Sequence, residues 1–449
     1  MAQDIIANIK EKYQGKKVLV VGLGLQGGGV GIAKFFSELG ARVTVTDKKT
    51  AVQLADSVTD LKKYPIELHL GEHALEDFEA TDVIFKGPSV PWTMPEIAAA
   101  DKKGIPVEME LSFFCANFPG KVIGVTGTRG KSTTTRMIYD LLKASSYPAT
   151  LAGGLPGIST INFLKTLGER DWVVMEISSW ALSGFHRKKI SPHIGVFTNI
   201  YPDHLNYYKT MDDYLFDKKA IYLYQKKGDN LVINESLIDS LGNGLKLLPT
   251  NVTTFSKKDF PYRLNYLSGE HNLENAAAAL KVSQILGIES SVAAKTISDF
   301  HGLPFRQEIV GKTNGTIIVN DTTSTTPVAT IASLDSFRTR KIILILGGNS
   351  KNLPVEELLG KLSKVERIVL LAGSFTNQVM ESLKTLYPQK ISSKVYSDLG
   401  EAIKEGLSLA KQLDNSCLLF SPGATSFAMF DNEFHRGREF NRIVKQLLI

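Results

Sequence analysis

The stretch Gly-Val-Thr-Gly-Thr-Arg-Gly-Lys-Ser-Thr-Thr-Thr, residues 124–135, decides the fold of the part of the chain around it. An apolar run at 121–125 predicts a strand before it, and residues 136–144 carry apolar side chains at helical spacing. A glycine-rich turn between a strand and a helix directs backbone N–H groups at one point, which attracts polyphosphate. Lys131 adds a point charge, and Ser132 is a predicted Mg²⁺ ligand. The stretch therefore predicts a nucleoside triphosphate site.

This loop is shorter than the general phosphate-binding loop. Gly127 stands three residues before Gly130, whereas the general pattern has five residues from its first glycine to its second. A strand–helix turn without a ligand is the alternative, and Lys-Ser-Thr at the start of the helix argues against it. The short spacing between the two glycines therefore indicates a smaller group of ATP-binding proteins than the general pattern does.

Length and composition limit the kind of protein. With 449 residues, of which 43% are hydrophobic, the chain is long enough for about three domains. Its two cysteines, Cys115 and Cys417, predict neither a disulfide framework nor a cysteine-rich metal motif. No apolar run reaches the roughly 18 residues of a membrane span, and the first residues lack a signal-peptide core. We expect a cytoplasmic protein that does not insert into a membrane.

The first predicted domain, residues 1–118, begins with a βαβ unit. A strand at 16–21, a helix at 32–39 and a strand at 42–46 surround a glycine-rich turn. Gly22, Gly24 and Gly27 fit the G-x-G-x-x-G pattern, and Asp47 follows the last of them by 20 residues. The pattern alone allows NAD or another nucleotide diphosphate. Further strands at 81–85 and 105–107 complete a small sheet.

The central predicted domain, residues 119–302, continues with strands at 172–177 and 194–200. Glu176 ends the first strand, and Asn199, Asp203 and His204 come at or after the end of the second. Because the carboxyl ends of parallel strands meet at one edge, we expect these residues beside the phosphate loop, where they could share one metal site.

The last predicted domain covers residues 303–449. Its apolar runs predict strands at 316–319, 341–346, 367–371 and 417–420, separated by helices such as 355–362 and 399–413. The strands end in small or polar residues, which suit reversing turns but favour a ligand crevice. The expected fold class is α/β: a Rossmann-like domain, a P-loop ATPase-type domain and a second Rossmann-like domain.

Five motifs, in order along the chain, resemble the Mur ligase family. They are TGTRGKST at 126–133, EISSW at 176–180, NIYPDHL at 199–205, GEHNLENA at 269–276 and GLPFR at 302–306. The amino-terminal glycine motif and SPGATS at 421–426 look most like the branch that adds D-glutamate to UDP-N-acetylmuramoyl-L-alanine. The resemblance covers nearly the whole chain.

The resemblance implies a reaction and its participants. The family uses ATP to phosphorylate a carboxylate of its UDP-linked substrate, and the amine of an amino acid then attacks the acyl phosphate. It implies UDP-N-acetylmuramoyl-L-alanine and D-glutamate as substrates, two Mg²⁺ sites, a place in peptidoglycan precursor synthesis and a monomer. The first domain is then expected to bind the UDP-linked substrate.

The resemblance also assigns site residues. Catalytic roles fall to Lys131, Glu176, His204 and Lys218. The metal ligands are Ser132, Glu176, His204 and a carbamylated Lys218, with Lys219 as the competing position for the modification. The residues implied in ATP binding are Gly127, Thr128, Arg129, Gly130, Lys131, Ser132, Thr133, Thr134, Asn275 at the adenine, Arg306 at the phosphates and Asp321 at the ribose.

The two other substrates have implied contacts as well. Those of the UDP-linked substrate are Leu25, Gln26, Asp47, Lys48 and Ser89, and those of the amino acid are Thr325, Lys351, Ser426 and Phe430. The chain departs from the family pattern at three of the neighbouring positions. Thr323 stands where the D-glutamate branch normally has a lysine, Leu155 replaces an asparagine, and Gly87-Pro88-Ser89 replaces Ser-Pro-Gly.

Other functions explain less of the sequence. An NAD-dependent oxidoreductase would use the first glycine motif but leave the phosphate loop, Glu176 and His204 without a role. A nucleic-acid ATPase would suit the formal charge of +6, but the sequence has no basic groove interleaved with aromatic residues. A folylpolyglutamate-type ligase would lack the first domain. The remaining alternative is a Mur ligase that adds L-glutamate or another amino acid.

Overall fold

Three sheets, each with helices between its strands, make up the chain. The structure is a computed structural model that describes residues 2–24, 27–154, 158–204, 207–267, 269–426 and 429–448. The chain divides into two compact units. The first unit contains Met1–Ile200, Asp212–Asp259 and Ala277–Thr296, and the second contains Tyr201–Met211, Phe260–Ala276 and Ile297–Ile449. The first two sheets belong to the first unit, and the third sheet belongs to the second.

The first sheet is parallel and has the strand order β3-β2-β1-β4-β5. Its strands are β1 Lys17–Val21, β2 Arg42–Asp47, β3 Ile66–Leu70, β4 Val83–Lys86 and β5 Val107–Glu108. Its helices are α1 Ala2–Tyr13, α2 Gly28–Glu38, α3 Ala55–Leu61, α4 Leu75–Glu79, α5 Pro95–Lys102 and α6 Glu110–Asn117. Parallel strands need crossover connections and are covered on both faces, so β1 is a continuous apolar run after its first residue.

The second sheet is parallel and has the order β11-β10-β9-β6-β8-β7. Its strands are β6 Lys121–Thr126, β7 Ala149–Gly153, β8 Trp172–Glu176, β9 Ile194–Phe197, β10 Asn230–Asn234 and β11 Asn251–Phe255. The helices of this part are α7 Lys131–Ala144, α8 Ser179–Lys188, α9 Met211–Lys219, α10 Ile238–Leu241, α11 Glu270–Ile285 and α12 Ser290–Ser298. Short 3-10 helices cover Thr160–Lys165, Glu235–Leu237, Gly242–Leu247 and Lys257–Asp259. The central strand β6 leads directly into the phosphate loop.

The third sheet has the order β12-β13-β17-β14-β15-β16, with β12 antiparallel to β13 and the other neighbours parallel. Its strands are β12 Glu308–Thr313, β13 Thr316–Asn320, β14 Lys341–Gly347, β15 Arg367–Leu371, β16 Ile391–Tyr396 and β17 Ser416–Phe420. Its helices are α13 Pro327–Ser336, α14 Glu356–Lys361, α15 Ser374–Leu386, α16 Leu399–Ala410 and α17 Glu433–Leu447, with a 3-10 turn at Leu362–Lys364.

The predicted α/β class is confirmed, and the predicted strands are present within one to three residues at their ends. The sequence interpretation missed β3, β7, β10, β11, β12 and β16. These strands lie at or next to the edges of their sheets. Several mix polar with apolar residues, so they lack the apolar run that identified the central strands. Helix α7 begins five residues earlier than expected, at Lys131. None of the helices in the described ranges is both long and apolar enough to span a membrane.

Lys86, at the end of β4, is a buried lysine in the first unit. Its side chain is 1% exposed, and Nζ donates to the carbonyl oxygen of Val90 at 2.9 Å. The same Nζ lies 4.3 Å from the ring centre of Trp92, and the guanidinium of Arg187 lies at the same distance. Trp92 in turn donates to Ser183 Oγ at 2.8 Å. Burial lowers the pKa of Lys86 from 10.5 to about 7, with Asp217 acting in the opposite direction.

The buried Lys86 predicts a pH-dependent stability difference. The unfolded chain holds the proton of the Lys86 ammonium group more tightly than the folded chain does. The free-energy cost of burying the charged side chain is therefore complete below pH 7 and declines as the pH rises toward 10.5. The measured quantity is the melting temperature of Lys86→Met minus that of wild type. We expect this difference to be larger at pH 7 than at pH 9.5 by at least about 3 °C. The exposed Lys102→Met is the control. A difference that stays constant or grows with pH would contradict this account.

Candidate active site

The phosphate loop joins β6 to α7 through two glycines in backbone conformations that other residues avoid. Gly127 has φ 149° and Gly130 has φ 80°. A Cβ atom on Gly127 would lie 1.9 Å from Thr198 Oγ1, so any side chain would collide there. Gly130 caps the amino end of α7 in the left-handed conformation. The loop therefore requires glycine at both positions and leads into a helix N-terminus that favours an anion.

The end of β9 clamps this loop in place. The backbone N–H of Arg129 donates to Asn199 Oδ1 at 2.8 Å, and Asn199 Nδ2 donates back to the Arg129 carbonyl at 3.1 Å. Thr198 Oγ1 donates to the same carbonyl at 2.6 Å. Thr128 N–H donates to the Asn199 carbonyl at 3.0 Å. A loop held this way is organised before a ligand arrives, which reduces the entropy cost of binding. The sequence did not identify Thr198 as part of the clamp.

Lys131 points into the loop rather than away from it. Its Nζ donates to the carbonyl oxygens of Gly127 and Thr128, at 3.1 Å each. Ser132, Thr133 and Thr134 follow it in the first turn of α7, and Thr134 is buried. The cation and the helix N-terminus are thus close to each other, an arrangement suited to phosphate oxygens.

Lys218, on α9, reaches the same loop. Its side chain is 1% exposed, and Nζ donates to the Gly127 carbonyl at 2.9 Å. It lies 4.6 Å from the ring centre of Tyr214, whose hydroxyl is 3.1 Å from Thr128 Oγ1. Lys219 is only partly buried. Of the two lysines considered from the sequence, Lys218 is therefore the one that the fold brings to the phosphate loop.

Glu176 is placed beside the loop by strand pairing. It ends β8 and lies opposite Val125 of β6 in the parallel register, one residue before Thr126. Its backbone carbonyl accepts from Gly154 N–H at 3.1 Å. Leu155, where the sequence departs from the family pattern, lies outside the described residues. The predicted neighbourhood of Glu176 and the phosphate loop is confirmed.

No ready-made cluster of three or more His, Cys, Asp or Glu side chains suited to a metal occurs in the described ranges. A metal here would depend on the hydroxyl of Ser132, on Glu176 and on oxygens from a ligand. That donor set suits Mg²⁺, which binds through one or two carboxylates together with phosphates and water.

The loops expected to hold the UDP-linked substrate lie at the carboxyl edge of the first sheet. Asp47 is buried, and its carboxylate accepts from the N–H groups of Gly24 at 3.2 Å and Lys49 at 2.9 Å. Lys48 and Ser89 are exposed. The backbone hydrogen bonds of Asp47 hold the glycine turn against the end of β2. Leu25 and Gln26, the other two predicted contacts, lie outside the described residues.

In the second unit, Asp203 organises the predicted metal ligand His204. His204 adopts a left-handed backbone, with φ 54°, and its N–H donates to Asp203 Oδ1 at 2.9 Å. His204 Nε2 lies 3.8 Å from Asp203 Oδ2. Lys351 Nζ lies 3.5 Å from Asp203 Oδ1 and donates to Thr325 Oγ1 at 3.4 Å. Two of the four predicted amino-acid contacts, Thr325 and Lys351, are therefore brought together.

Asp321, predicted at the ribose, is enclosed by hydroxyl groups. Its Oδ2 accepts from Ser324, Ser333 and Ser421, and its Oδ1 accepts from Gln307 N–H at 3.1 Å. Burial raises the pKa of this carboxyl, although the hydroxyl groups oppose the shift. In this structure Asp321 therefore braces the backbone next to Arg306.

The segment around Arg306 is conformationally strained. Phe305 and Gln307, on either side of it, have φ of 66° and 50°, which costs non-glycine residues about 1 kcal/mol or more each. Thr323 donates to the Phe305 carbonyl through its N–H at 3.3 Å and its Oγ1 at 2.9 Å. The side chain that replaces the family's usual lysine thus supports the segment that carries Arg306.

The remaining predicted contacts lie in the first half of α11 and in the loop before α17. Asn275 Nδ2 donates to Asn272 Oδ1 at 3.3 Å, so these two asparagines share one face of α11, as expected. Ser426 is 3% exposed, and its Oγ has no hydrogen-bond partner among the described residues. The backbone N–H of Phe430 donates to the Ser426 carbonyl at 3.1 Å. An unpaired buried hydroxyl at this point is available to a ligand.

Three family profiles match successive parts of the chain. The profile of the Mur ligase MurD-like N-terminal domain matches residues 16–108, that of the Mur ligase middle domain matches 125–266, and that of the Mur ligase glutamate ligase domain matches 305–423. A protein of Roseiflexus sp. (strain RS-1) named UDP-N-acetylmuramoylalanine--D-glutamate ligase is 34% identical over 96% of this chain and 98% of its own length. A protein of the same name from Clostridium botulinum (strain 657 / Type Ba4) is 32% identical, over 98% and 99% respectively.

Solved structures share the architecture. The UDP-N-acetylmuramate-alanine ligase MurC of Thermotoga maritima has a TM-score of 0.59 at 20% identity, over 96% of this chain and 99% of that one. The MurF ligase of the same organism, in complex with ADP, has a TM-score of 0.58 at 19% identity, over 97% of each chain. These structures support the fold, and the full-length relatives and the three matching profiles establish the family. The chain belongs to the Mur ligase family.

Proposed function

We propose that this chain is an ATP-dependent, ADP-forming ligase that joins D-glutamate to UDP-N-acetylmuramoylalanine. The observation that carries the proposal is the clamped phosphate loop, where Lys131 and Lys218 meet at the Gly127 carbonyl. Its full-length relatives bear the name of this ligase. With the proposal come a role in peptidoglycan precursor synthesis, a cytoplasmic location and a monomeric state.

The proposed reaction has two steps, transfer of a phosphoryl group and formation of the amide. A carboxylate oxygen of the UDP-linked substrate attacks the γ-phosphorus of ATP, and ADP leaves with its bridging oxygen. The amine of glutamate then attacks the acyl carbon, so that an amide forms, phosphate leaves and the amine loses its proton. Negative charge gathers on phosphate oxygens in the first step and on the acyl oxygen in the second. Positioning and fixed positive charge therefore do most of the work.

The phosphate loop supplies that charge. Lys131 donates to two loop carbonyls, from which a phosphate oxygen can take over its hydrogen bonds. The N–H groups at the start of α7 lie beside it. Because Asn199 and Thr198 already fix the loop, little reorganisation accompanies phosphate binding. Asn275 and Arg306 are proposed at the adenine and the phosphates, and Asp321 near the ribose.

Mg²⁺, when bound, would neutralise phosphate charge. Ser132 and Glu176 are the proposed ligands beside the loop, with His204 and a carbamylated Lys218 proposed at a second ion. The ammonium groups of Lys131 and Lys218 share the Gly127 carbonyl, and like charges this close repel each other. Carbamylation of the buried Lys218 would turn that cation into an anion and supply oxygen ligands.

The other substrates are assigned to the loops that follow parallel strands. The UDP-linked substrate is proposed at the edge of the first sheet that carries Asp47, Lys48 and Ser89, together with Leu25 and Gln26. Glutamate is proposed in the second unit, with its carboxylates at Lys351, Thr325, Ser426 and Phe430. Thr323 carries no charge, so the proposal places a glutamate carboxylate at Lys351, which contacts Thr325.

A pair of adjacent lysines tests the carbamate. We expect Lys218→Ala to lose nearly all amide formation, because the side chain next to Gly127 is removed, and millimolar acetate to restore part of it by supplying a carboxylate. Lys219→Ala should retain activity. The measurement is phosphate release, with melting temperatures as the check on folding. Loss of activity in Lys219→Ala alone, or full activity in both variants, would overturn the assignment to Lys218.

The amino acid is tested by phosphate release with UDP-N-acetylmuramoylalanine and D-glutamate, L-glutamate or D-glutamine in parallel. We expect D-glutamate to be preferred, because a site built around the side-chain carboxylate rejects the amide. A charged contact contributes about 1.5–3 kcal/mol, so Lys351→Ala should raise the KM for D-glutamate by roughly tenfold to a hundredfold. Lys361→Ala, whose lysine pairs with Asp335, is the control. Equal kcat/KM for D-glutamine and D-glutamate would refute the substrate assignment.

A further inference from the structure

Arg436, in the first turn of α17, is almost completely buried. Its side chain is 1% exposed, although arginine is among the residues least often buried. The helix is capped just before it, where the side chain of Asn432 accepts from His435 N–H at 2.8 Å. The cap fixes the start of the helix and directs Arg436 toward the sheet. The proposed reaction assigns no role to the side chain of Arg436.

The guanidinium of Arg436 contacts two of the loops that leave the carboxyl edge of the third sheet. Nε donates to Thr322 Oγ1 at 2.8 Å, and Nη2 donates to the Thr322 carbonyl at 2.7 Å. Nη2 also donates to the Ala424 carbonyl at 3.2 Å. Thr322 belongs to the loop after β13, and Ala424 belongs to the loop after β17. One planar group therefore joins two loops that are far apart in sequence.

A third loop passes close to the same group. A Cβ atom placed on Gly348, just after β14, would lie 3.5 Å from Arg436 Nη1. This loop is also tied to the loop after β17, since Asn349 and Thr425 exchange backbone hydrogen bonds of 3.1 and 2.9 Å. The three loops thus meet around the guanidinium.

Each of these loops carries a residue that is proposed to contact the amino acid. That residue lies two or three positions after the residue of the loop that is near Arg436. Thr322 is followed by Thr325, Gly348 by Lys351, and Ala424 by Ser426. Lys351 already donates to Thr325 across two of the loops. The buried Ser426 Oγ has no partner among the described residues, as expected of a group that a ligand completes.

The charge on Arg436 is not neutralised by an ion pair. In the ranges that the structure describes, no carboxylate forms a salt bridge with it, and carbonyl and hydroxyl oxygens accept its hydrogen bonds. Burial lowers the pKa of Arg436 to about 10, with Glu433 acting in the opposite direction, so the guanidinium is charged at neutral pH. A buried, unpaired charge costs free energy, and an anionic ligand nearby would offset that cost.

We propose that Arg436 is a positioning residue for the amino acid. It holds the loops that carry Thr325, Lys351 and Ser426 at the spacing that the amino acid's two carboxylates require, and it adds positive charge behind them. This inference rests on the proposed function, since it concerns the site assigned there to glutamate. The competing explanation is that Arg436 only attaches α17 to the sheet.

The experiment compares steady-state kinetics of the full-length enzyme and three variants. Arg436→Met keeps the aliphatic stem and removes every donor, and Arg436→Lys keeps the charge but not the planar group. Arg438→Met, at an exposed arginine of the same helix, is the matched control. We expect Arg436→Met to raise the KM for D-glutamate by at least about tenfold, with the KM for ATP within about twofold of wild type. Arg436→Lys should lie between these values, and Arg438→Met should match wild type.

A second measurement separates positioning from a general loss of packing. In Arg436→Ala, millimolar methylguanidinium should lower the KM for D-glutamate toward the wild-type value, while methylammonium at the same concentration should do so less. If Arg436→Met and Arg436→Lys lower only the melting temperature or kcat and leave this KM unchanged, the inference is wrong. Equal increases in the KM values of ATP and glutamate would also overturn it.

The wild-type enzyme separates failure of the inference from failure of the proposed function. If wild type uses a different amino acid from the parallel assay, the assignment of D-glutamate fails, and the Arg436 variants are measured with the amino acid that is used. If wild type uses none, the positioning role is wrong together with the function on which it rests. If wild type uses D-glutamate and the variants saturate like wild type, only the role of Arg436 is lost.

Discussion

The carbonyl oxygen of Gly127 accepts hydrogen bonds from two lysines, Lys131 and Lys218, and the central site is built around that meeting. Like charges this close repel each other, and a bound anion would offset that repulsion. Such an arrangement suits a site that handles triphosphate. The glycine conformations and the clamp from Thr198 and Asn199 hold the carbonyl where both side chains reach it.

The same construction principle recurs in each sheet. Parallel strands deliver their following loops to one edge, and a few polar groups then fasten those loops. Asp47 fastens the glycine turn of the first sheet through backbone N–H groups, and Asn199 fastens the phosphate loop of the second. In the third sheet the fastening group is a cation, Arg436. In each sheet, buried polar groups thus hold the loops in which the ligand contacts are proposed.

Much of this was predictable from the sequence where the local signal was strong. The apolar runs identified the central strands, and the glycine spacing identified the phosphate loop. The sequence left the choice between Lys218 and Lys219 open, and burial of Lys218 beside the loop favours Lys218. Whether Lys218 is carbamylated stays a prediction.

Other features could not be read from local pattern. Edge strands such as β12 and β16 contain polar residues, and pairing with a neighbour is what makes them strands. An arginine on an amphipathic helix resembles a solvated residue, so nothing in the sequence marked Arg436 as buried. Thr323 stands where the family branch normally has a lysine, and its bonds to Phe305 depend on a tertiary approach that no sequence spacing reveals.

The central claim is that the substrate's carboxylate is activated by phosphorylation at this loop. It is tested most directly by replacing both carboxylate oxygens of UDP-N-acetylmuramoylalanine with the heavy stable isotope of oxygen and analysing the phosphate released during turnover with D-glutamate. The oxygen that attacks the γ-phosphorus stays with phosphorus when the amine attacks the acyl carbon. The account predicts that each phosphate carries a single labelled oxygen; unlabelled phosphate accompanying amide formation would contradict it.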